Sequence, residues 1–323
     1  MQDRLPLNFI LSLNHDMIPD HGEDSFCYSF CDNAGLVGVF DGCGGAGARK
    51  HKCYCDNTEA YMASRLCAGA FYDAFRVAFP CDYPAQYLVD SLFIPAVEER
   101  LTYCTPPKDP SHTTVLGSMV RTLPSTAAAA LLQQQEDGTV SVTAFWAGDS
   151  RVYAWDACGL TQLTTDHTTV PDPMDTLYED GVLKNLISCG KTPKISSNTV
   201  QLKPPFMVFG ATDGCFGYLS TPMEFEGLLL STLLQTATPN EWEQALDQAF
   251  GGISGDDYTL CLAAVGYQNL DHLKQQAEKR LAYLRQYYLN QVATLPVDDR
   301  QSRTALWNNY KNDYLKYIKD ASF

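Results

Sequence analysis

Short apolar runs bounded by polar turns alternate along this chain with longer stretches of helical spacing. Asn8–Leu13, Phe26–Cys31 and Gly35–Phe40 read as strands separated by polar turns. Asp56 with Glu59 makes a capping-box-like start, and Ala63, Leu66, Cys67, Ala70, Phe71, Ala74 and Phe75 then keep helical spacing to about Phe79. A second helix is predicted over Ala85–Tyr103, kinked at Pro95 where an N–H is missing. From Thr126 the period shortens to that of strands. TAAAALLQQQ, the turn EDG and TVSVTAFWAG predict a hairpin, which RVYAW, DACG and LTQLTTD extend as a meander. FMVFGATDG is another buried strand. Thr221-Pro222-Met223-Glu224 and Thr238-Pro239-Asn240-Glu241 each open a helix, and DYTLCLAAVGY closes the region as a strand.

From about Gln268 the pattern changes. Leu270, Leu273, Leu281, Leu284 and Tyr288 form one helical stripe, and a polar break near Asp298 precedes a Tyr-rich helical stretch to about Lys319. The chain thus divides into a domain over residues 1–267 and a C-terminal helical extension over 268–323. Burying the stripe is worth roughly 1.5–3 kcal/mol per side chain, so something must cover it. Packing within the chain is the expectation, because the heptad register is short and imperfect; contact with a partner or a second copy is the alternative. The domain before it is expected to be complete without these helices.

Composition narrows the function. With 323 residues, 45% hydrophobic and 19% charged, the chain can bury a proper core. A net charge of −15 lacks the basic footprint that nucleic acid requires and suits cations instead. MQDRLPLNFILSLNHD has no secretory leader, and no apolar run approaches the ~18 residues of a membrane span. The expectation is a cytoplasmic protein with no membrane or nucleic-acid partner. The 12 cysteines are then expected to be reduced. Cys53 and Cys55 form a C-x-C near Cys43 and His51, but no second pair completes a zinc set. Buried thiols acting as small hydrophobes are the simpler reading.

The candidate chemistry sits at strand ends. Three predicted strands end in an acid: Asp41 before Gly42, Asp149 before Ser150 and Asp213 before Gly214. Asp256-Asp257 and Glu23-Asp24 each precede a strand. Any single Asp-Gly is more often a turn than a ligand. Recurrence is what matters, because acids brought to one sheet edge repel unless a cation sits among them. Oxygen ligands without His or Cys select hard ions such as Mg²⁺ or Mn²⁺. The glycines after Asp41 leave the backbone bare for a carbonyl ligand or a close substrate.

The order of these motifs resembles the metal-dependent serine/threonine protein phosphatases of type 2C, the PPM family, in a bacterial-like form. Gly22-Glu23-Asp24-Ser25 is similar to the family's opening acidic motif, and Val39-Phe40-Asp41-Gly42-Cys43-Gly44-Gly45 to V-F-D-G-x-G-G. Ser125-Thr126-Ala127, Gly148-Asp149-Ser150-Arg151 and Leu163-Thr164-Thr165-Asp166-His167 follow in family order. Thr212-Asp213-Gly214 resembles S-D-G, and Asp256-Asp257-Tyr258-Thr259 resembles D-N-x-T. The resemblance spans about residues 8 to 266.

It implies an α+β fold, a four-layer α-β-β-α sandwich of two antiparallel sheets flanked by helices, here with a C-terminal helical extension. It also implies hydrolysis of phosphoserine or phosphothreonine in a phosphorylated protein by a water activated between two Mn²⁺ or Mg²⁺ ions, with a third ion held more weakly. Asp41 would bridge the tight pair with the Gly42 carbonyl on one ion. Asp213 and Asp256 would complete the other shell, and Glu23 and Asp24 would lie near the pair. Asp149, with Asp213, would hold the third. Asp41, Asp213 and Asp256 are therefore the expected catalytic carboxylates. The sequence departs from the family in two places. Pro19 stands where an Arg often grips the phosphate, with Arg49 and Lys50 as substitutes or as plain surface charges. Cys43 replaces the His that serves eukaryotic members as acid. His167 and Arg151 read as structural. A catalytically weak or inactive member acting as a phosphoprotein-binding or scaffolding module is the alternative, favoured by Pro19.

Overall fold

Val37 and Val39 face one way and Leu36 and Phe40 the other, and all four are fully buried. A strand buried on both faces needs a layer on each side, and the whole chain is built on that requirement. The computed structural model describes residues 4–79, 83–107, 121–179, 181–296 and 298–318. Its longer strands are β1 (Leu7–His15), β2 (Ser25–Phe30), β3 (Ala34–Phe40), β4 (Ala127–Gln134), β5 (Val140–Ala147), β6 (Arg151–Asp156), β7 (Gly159–Gln162), β8 (Ser196–Leu202), β9 (Phe206–Ala211) and β10 (Tyr258–Val265). They form two five-stranded sheets, ordered β1-β10-β9-β6-β7 and β8-β5-β4-β3-β2, with antiparallel pairing throughout.

Between the sheets, Val37, Val39, Ala128, Ala130 and Ala144 meet Val152, Val208, Cys261 and Ala263. The main helices are α1 (Glu59–Ala78), α2 (Ile94–Cys104), α3 (Pro222–Leu234), α4 (Pro239–Gly251), α5 (Leu270–Leu284) and α6 (Arg300–Tyr314). Phe71 and Phe75 of α1 and Val97 of α2 pack on Leu36, Phe40 and Phe145. The other sheet turns Tyr153, Trp155, Phe209 and Leu262 toward α3–α6. The fold is thus the expected α-β-β-α sandwich, with helices at its C-terminal end.

Several local readings change. The cap of α1 is Thr58, whose hydroxyl accepts from the Tyr61 N–H at 3.0 Å. Asp56 lies in a left-handed turn with φ of 64°, unlike the extended backbone an N-cap needs. Before Pro95 the chain widens into a π-helical stretch, Leu88–Phe93, which absorbs the missing donor. Thr238 caps α4 by accepting from Glu241 N at 3.2 Å, whereas Thr221 makes no such bond at α3. The meander is the larger correction. β6 pairs with β9, not with β5, so the chain changes sheets at Gly148, where φ is +102°. Cys53 and Cys55 are exposed, contrary to the buried reading, while Cys27, Cys67, Cys215 and Cys261 are buried.

The C-terminal stripe is covered by its own chain. Leu273, Leu281, Leu284 and Tyr288 join the core that holds Trp155, Phe225 and Leu262, with Leu270 partly buried at its edge. Trp307, Tyr310 and Tyr314 of α6 enter the same core. The Tyr-rich helix ends at Tyr314, and Lys319 lies outside the described residues. No helix among the described residues is long and apolar enough to cross a membrane.

Candidate metal centre

Strand register delivers the acids to one end of the sandwich. Ser25 pairs with Phe40, so Asp24 and Asp41 flank the same rung of β2 and β3. Ala211 pairs with both Leu260 and Arg151, which sets Asp213 after β9 between Asp256 before β10 and Asp149 before β6. The two sheets therefore contribute carboxylates that face each other across the sandwich.

The polar scaffold beneath them is specific. Thr126 links two motifs: its hydroxyl accepts from the Asp41 N–H at 3.2 Å and lies 2.6 Å from Ser150 Oγ. Thr212 Oγ1 donates to Asp24 Oδ2 at 2.7 Å and accepts from Thr259 N at 2.8 Å, tying a buried carboxylate to the strand end that carries Asp213. Asp257 is a clamp, since its two oxygens accept from Met17 N at 2.8 Å and Glu23 N at 2.7 Å. A Cβ at Gly42 would stand 2.3 Å from the Ala60 carbonyl, and one at Gly214 would stand 2.0 Å from the Asp257 carbonyl. Glycine at both places is what lets these segments pass.

Electrostatics marks the same residues. Asp41 has its pKa held well above the usual carboxylate range by desolvation and then by Asp24, Asp213, Asp149 and Asp256. Burial, with Asp213 nearby, likewise pushes Asp24 up. Asp149 is raised to about 7, first by burial and then by Asp213. Asp213 is raised to about 6, first by burial and then by Asp256. Glu23, whose Oε1 accepts from the Thr58 hydroxyl, and the exposed Asp256 shift upward for the same reasons. The nearest arginine is already used. Arg151 is buried and gives Asp166 a two-pronged contact, Nε to Oδ1 at 3.0 Å and Nη2 to Oδ2 at 2.7 Å.

Among the described residues no group of three or more His, Cys, Asp or Glu side chains is disposed as a ready-made ligand shell. The donor set nevertheless fits a hard divalent cation. It offers carboxylate oxygens that raise each other's pKa and a backbone bared at Gly42, and its one arginine is spent on Asp166.

The structure brings together Asp24, Asp41, Asp149, Asp213 and Asp256, with Gly42 adjoining them and Glu23 at the edge. Thr126, Ser150, Thr212 and Asp257 also serve the site, a role that the sequence pattern does not give them. Their signal was position, each lying within one or two residues of a motif acid or on the strand that faces it. Arg49 and Lys50 are both exposed, and Lys50 draws the Glu23 pKa down against the other influences. Burial and the neighbouring Asp41, Asp149 and Asp213 push the Cys43 thiol well above its ordinary value. His167 accepts at Nδ1 from Gly148 N at 3.3 Å, which leaves its proton on Nε2, 3.0 Å from Ser196 Oγ. It is a neutral structural residue, as expected, and Arg151 is an ion-pair residue.

No protein-family model and no curated protein matches the chain. Solved structures do. The serine/threonine phosphatase Stp1 from Staphylococcus aureus superposes with a TM-score of 0.56 at 17% identity, covering 82% of this chain and 97% of that one. PppA, described as a key regulatory component of T6SS in Pseudomonas aeruginosa, gives 0.54 at 16%, covering 81% and 100%. The serine/threonine phosphatase PstP/Ppp from Mycobacterium tuberculosis gives 0.54 at 15%, covering 80% and 99%. Together with the sheet order and the acid-bearing end, these likenesses show that the chain has the fold of the bacterial PPM-type serine/threonine phosphatases.

Proposed function

We propose that this chain is a metal-dependent phosphoprotein phosphatase acting on phosphoserine and phosphothreonine. The observation that carries the reading is that strand register brings Asp24, Asp41, Asp149, Asp213 and Asp256, contributed by both sheets, to one end of a sandwich that phosphatases share. Asp41, Gly42, Asp213 and Asp256 would hold two Mn²⁺ or Mg²⁺ ions, with Glu23 and Asp24 beside them and Asp149 on a third, weaker ion. When bound, such ions acidify a water and neutralise a phosphoryl group.

The chain's own residues set the rest. Asp41 has its backbone fixed by Thr126, so its carboxylate is presented from a defined strand end. Asp24, buried and held by Thr212, supports that end from beneath. Cys43 keeps its proton at neutral pH and so is neither nucleophile nor acid in this scheme. Lys50, exposed and close enough to draw the Glu23 pKa down, would be the candidate to meet an incoming phosphate.

The test is release of phosphate from p-nitrophenyl phosphate and from a phosphothreonine peptide, each with Mn²⁺ and with EDTA. Mn²⁺-dependent turnover of both is expected. Tight peptide binding without turnover would instead support a phosphoprotein-binding module, the reading favoured by Pro19 where the family often has an arginine.

A further inference from the structure

Beside the candidate centre opens a cleft of about 310 Å³, lined by Asp149, Asp213 and Asp256 and, as a second stretch of wall, by Thr176, Leu177 and Glu179. The second wall belongs to the segment Asp172–Glu179, whose only regular structure is a single 3₁₀ turn, Asp175–Leu177. The segment closes backbone bonds on itself from Thr176 N to Asp172, from Leu177 N to Met174 and from Tyr178 N and Glu179 N to Asp175, so its shape is local, but its position is set by what it touches. Met174 enters the core and the Tyr178 hydroxyl donates to Ser220 O at 2.9 Å.

On the cleft side it is held by Arg151, whose Nη2 donates to Thr176 Oγ1 at 2.9 Å. On the outer side it is held by α6. The buried Trp307 donates from Nε1 to Asp172 Oδ1 at 3.0 Å, and the same oxygen accepts from Met174 N at 2.9 Å. Arg300 reaches Asp175 and Glu179, each at 2.8 Å, and lies 5.1 Å over the Tyr178 ring. Further along, Tyr310 donates to Glu226 at 2.6 Å and Tyr314 to the Tyr153 hydroxyl at 3.3 Å, and Tyr153 in turn receives Arg151 Nη1 at 3.4 Å. One helix is therefore bonded both to the wall of the cleft and, through Tyr153 and Arg151, to the strand that follows Asp149.

From this geometry we infer that α6 positions the substrate-binding wall, with Trp307 and Arg300 as its positioning residues. A phosphopeptide must pass between the wall and the acids, whereas a small aryl phosphate reaches the acids without leaning on segment 172–179. The substrate half of this inference rests on the phosphatase reading above.

The experiment compares wild type with Trp307→Phe, Arg300→Ala and the double variant. For the double variant, KM for a phosphothreonine peptide should rise about tenfold with kcat nearly constant, while kcat/KM for p-nitrophenyl phosphate stays within about twofold. Arg300→Lys should recover part of the peptide KM. In metal-free protein, backbone amides of residues 174–179 should exchange faster in the double variant while those of β9 and β10 do not. Equal losses on both substrates that follow thermal stability would make α6 merely structural and overturn the inference, as would unchanged exchange in 174–179. A wild type inactive on both substrates would end the phosphatase reading and the substrate half with it. The exchange rates would still decide whether α6 holds the wall.

Discussion

Arg280 of α5 grips Glu226 of α3 with two donors, Nε to Oε1 at 2.9 Å and Nη2 to Oε2 at 3.0 Å. Glu226 is fully buried and also accepts from Trp155 Nε1 at 2.9 Å, Leu160 N at 3.0 Å and Tyr310 at 2.6 Å. Of the four donor residues, Trp155 and Leu160 belong to the sheet and Arg280 and Tyr310 to the C-terminal helices, so a single carboxylate joins the sandwich to its extension. A Cβ at Gly159 would come within 2.2 Å of the guanidinium, so glycine there gives it room. Arg280 is the only cationic donor to Glu226 among the described residues.

Ending the chain at Gly266 would strand that carboxylate and, by removing the stripe of Leu273, Leu281 and Leu284, uncover the core around Trp155, Phe225 and Leu262 that the stripe packs on. The expected outcome is an aggregating or unfolded product, with metal-dependent activity lost along with the fold. Arg280→Met isolates the charge effect and should cost about 3–5 kcal/mol in urea denaturation. A soluble, cooperatively melting truncation would show instead that residues 1–267 are an independent domain.

A second expectation concerns the thiols. Cys31, Cys53, Cys55 and Cys158 are exposed, whereas Cys43 has its pKa pushed well upward by burial and by the acids around it. Alkylation at neutral pH should modify the exposed group and spare Cys43, leaving Mn²⁺-dependent phosphate release intact. Peptide mapping by mass spectrometry, paired with the assay, checks both halves. Inactivation that follows modification of Cys43 alone, with metal retained, would point to a thiol nucleophile.

What the sequence showed and what it hid divide along a physical line. Asp41, Asp149 and Asp213 were legible because a buried strand that stops in a carboxylate is a local event, written in adjacent residues. The layers come from the family resemblance and not from the pattern of Val37 and Val39 against Leu36 and Phe40, where both faces are apolar and no polar face marks an outside. The change of sheet at Gly148 was hidden too: pairing of β6 with β9 rather than β5 is a choice between distant partners that local pattern does not record. Thr126 and Thr212 escaped notice as site residues because each acts on an acid far away in sequence. Glu226 is the clearest case, a lone acid in the apolar run Phe225–Leu230 whose partner Arg280 arrives from α5, far away in sequence.

Metal and pH should act on stability together. Asp149 and Asp213 titrate near 7 and 6, above the 3.8 of an unperturbed Asp, so folding favours their neutral forms. The sign follows from linkage. Their contribution is fully present below the unfolded value and is lost as pH rises through about 6 to 7. In EDTA, the melting temperature should therefore fall across that window. Added Mn²⁺ should raise it by an amount that grows with pH, since the cation and the protons compete for the same carboxylates. Thermal scans with and without Mn²⁺ measure this directly, and a Mn²⁺ gain larger on the acid side than the alkaline side contradicts it.

Asp41 and Asp149 differ in whether a cation of the chain stands against them, and their substitutions should differ accordingly. Asp41 is pressed by Asp24, Asp213, Asp149 and Asp256, whereas Asp149 is pressed by acids and partly relieved by Arg151. Asp41→Ala should therefore empty the tight sites and lower turnover by about 10³-fold or more. Asp149→Ala should keep two tight ions while lowering kcat by about 10–100-fold. Calorimetric titration with Mn²⁺, run beside the p-nitrophenyl phosphate assay, separates the two cases. If Asp149→Ala abolished both tight binding events, Asp149 would belong with Asp41 in the core of the centre, and the weaker third ion would lose its ligand.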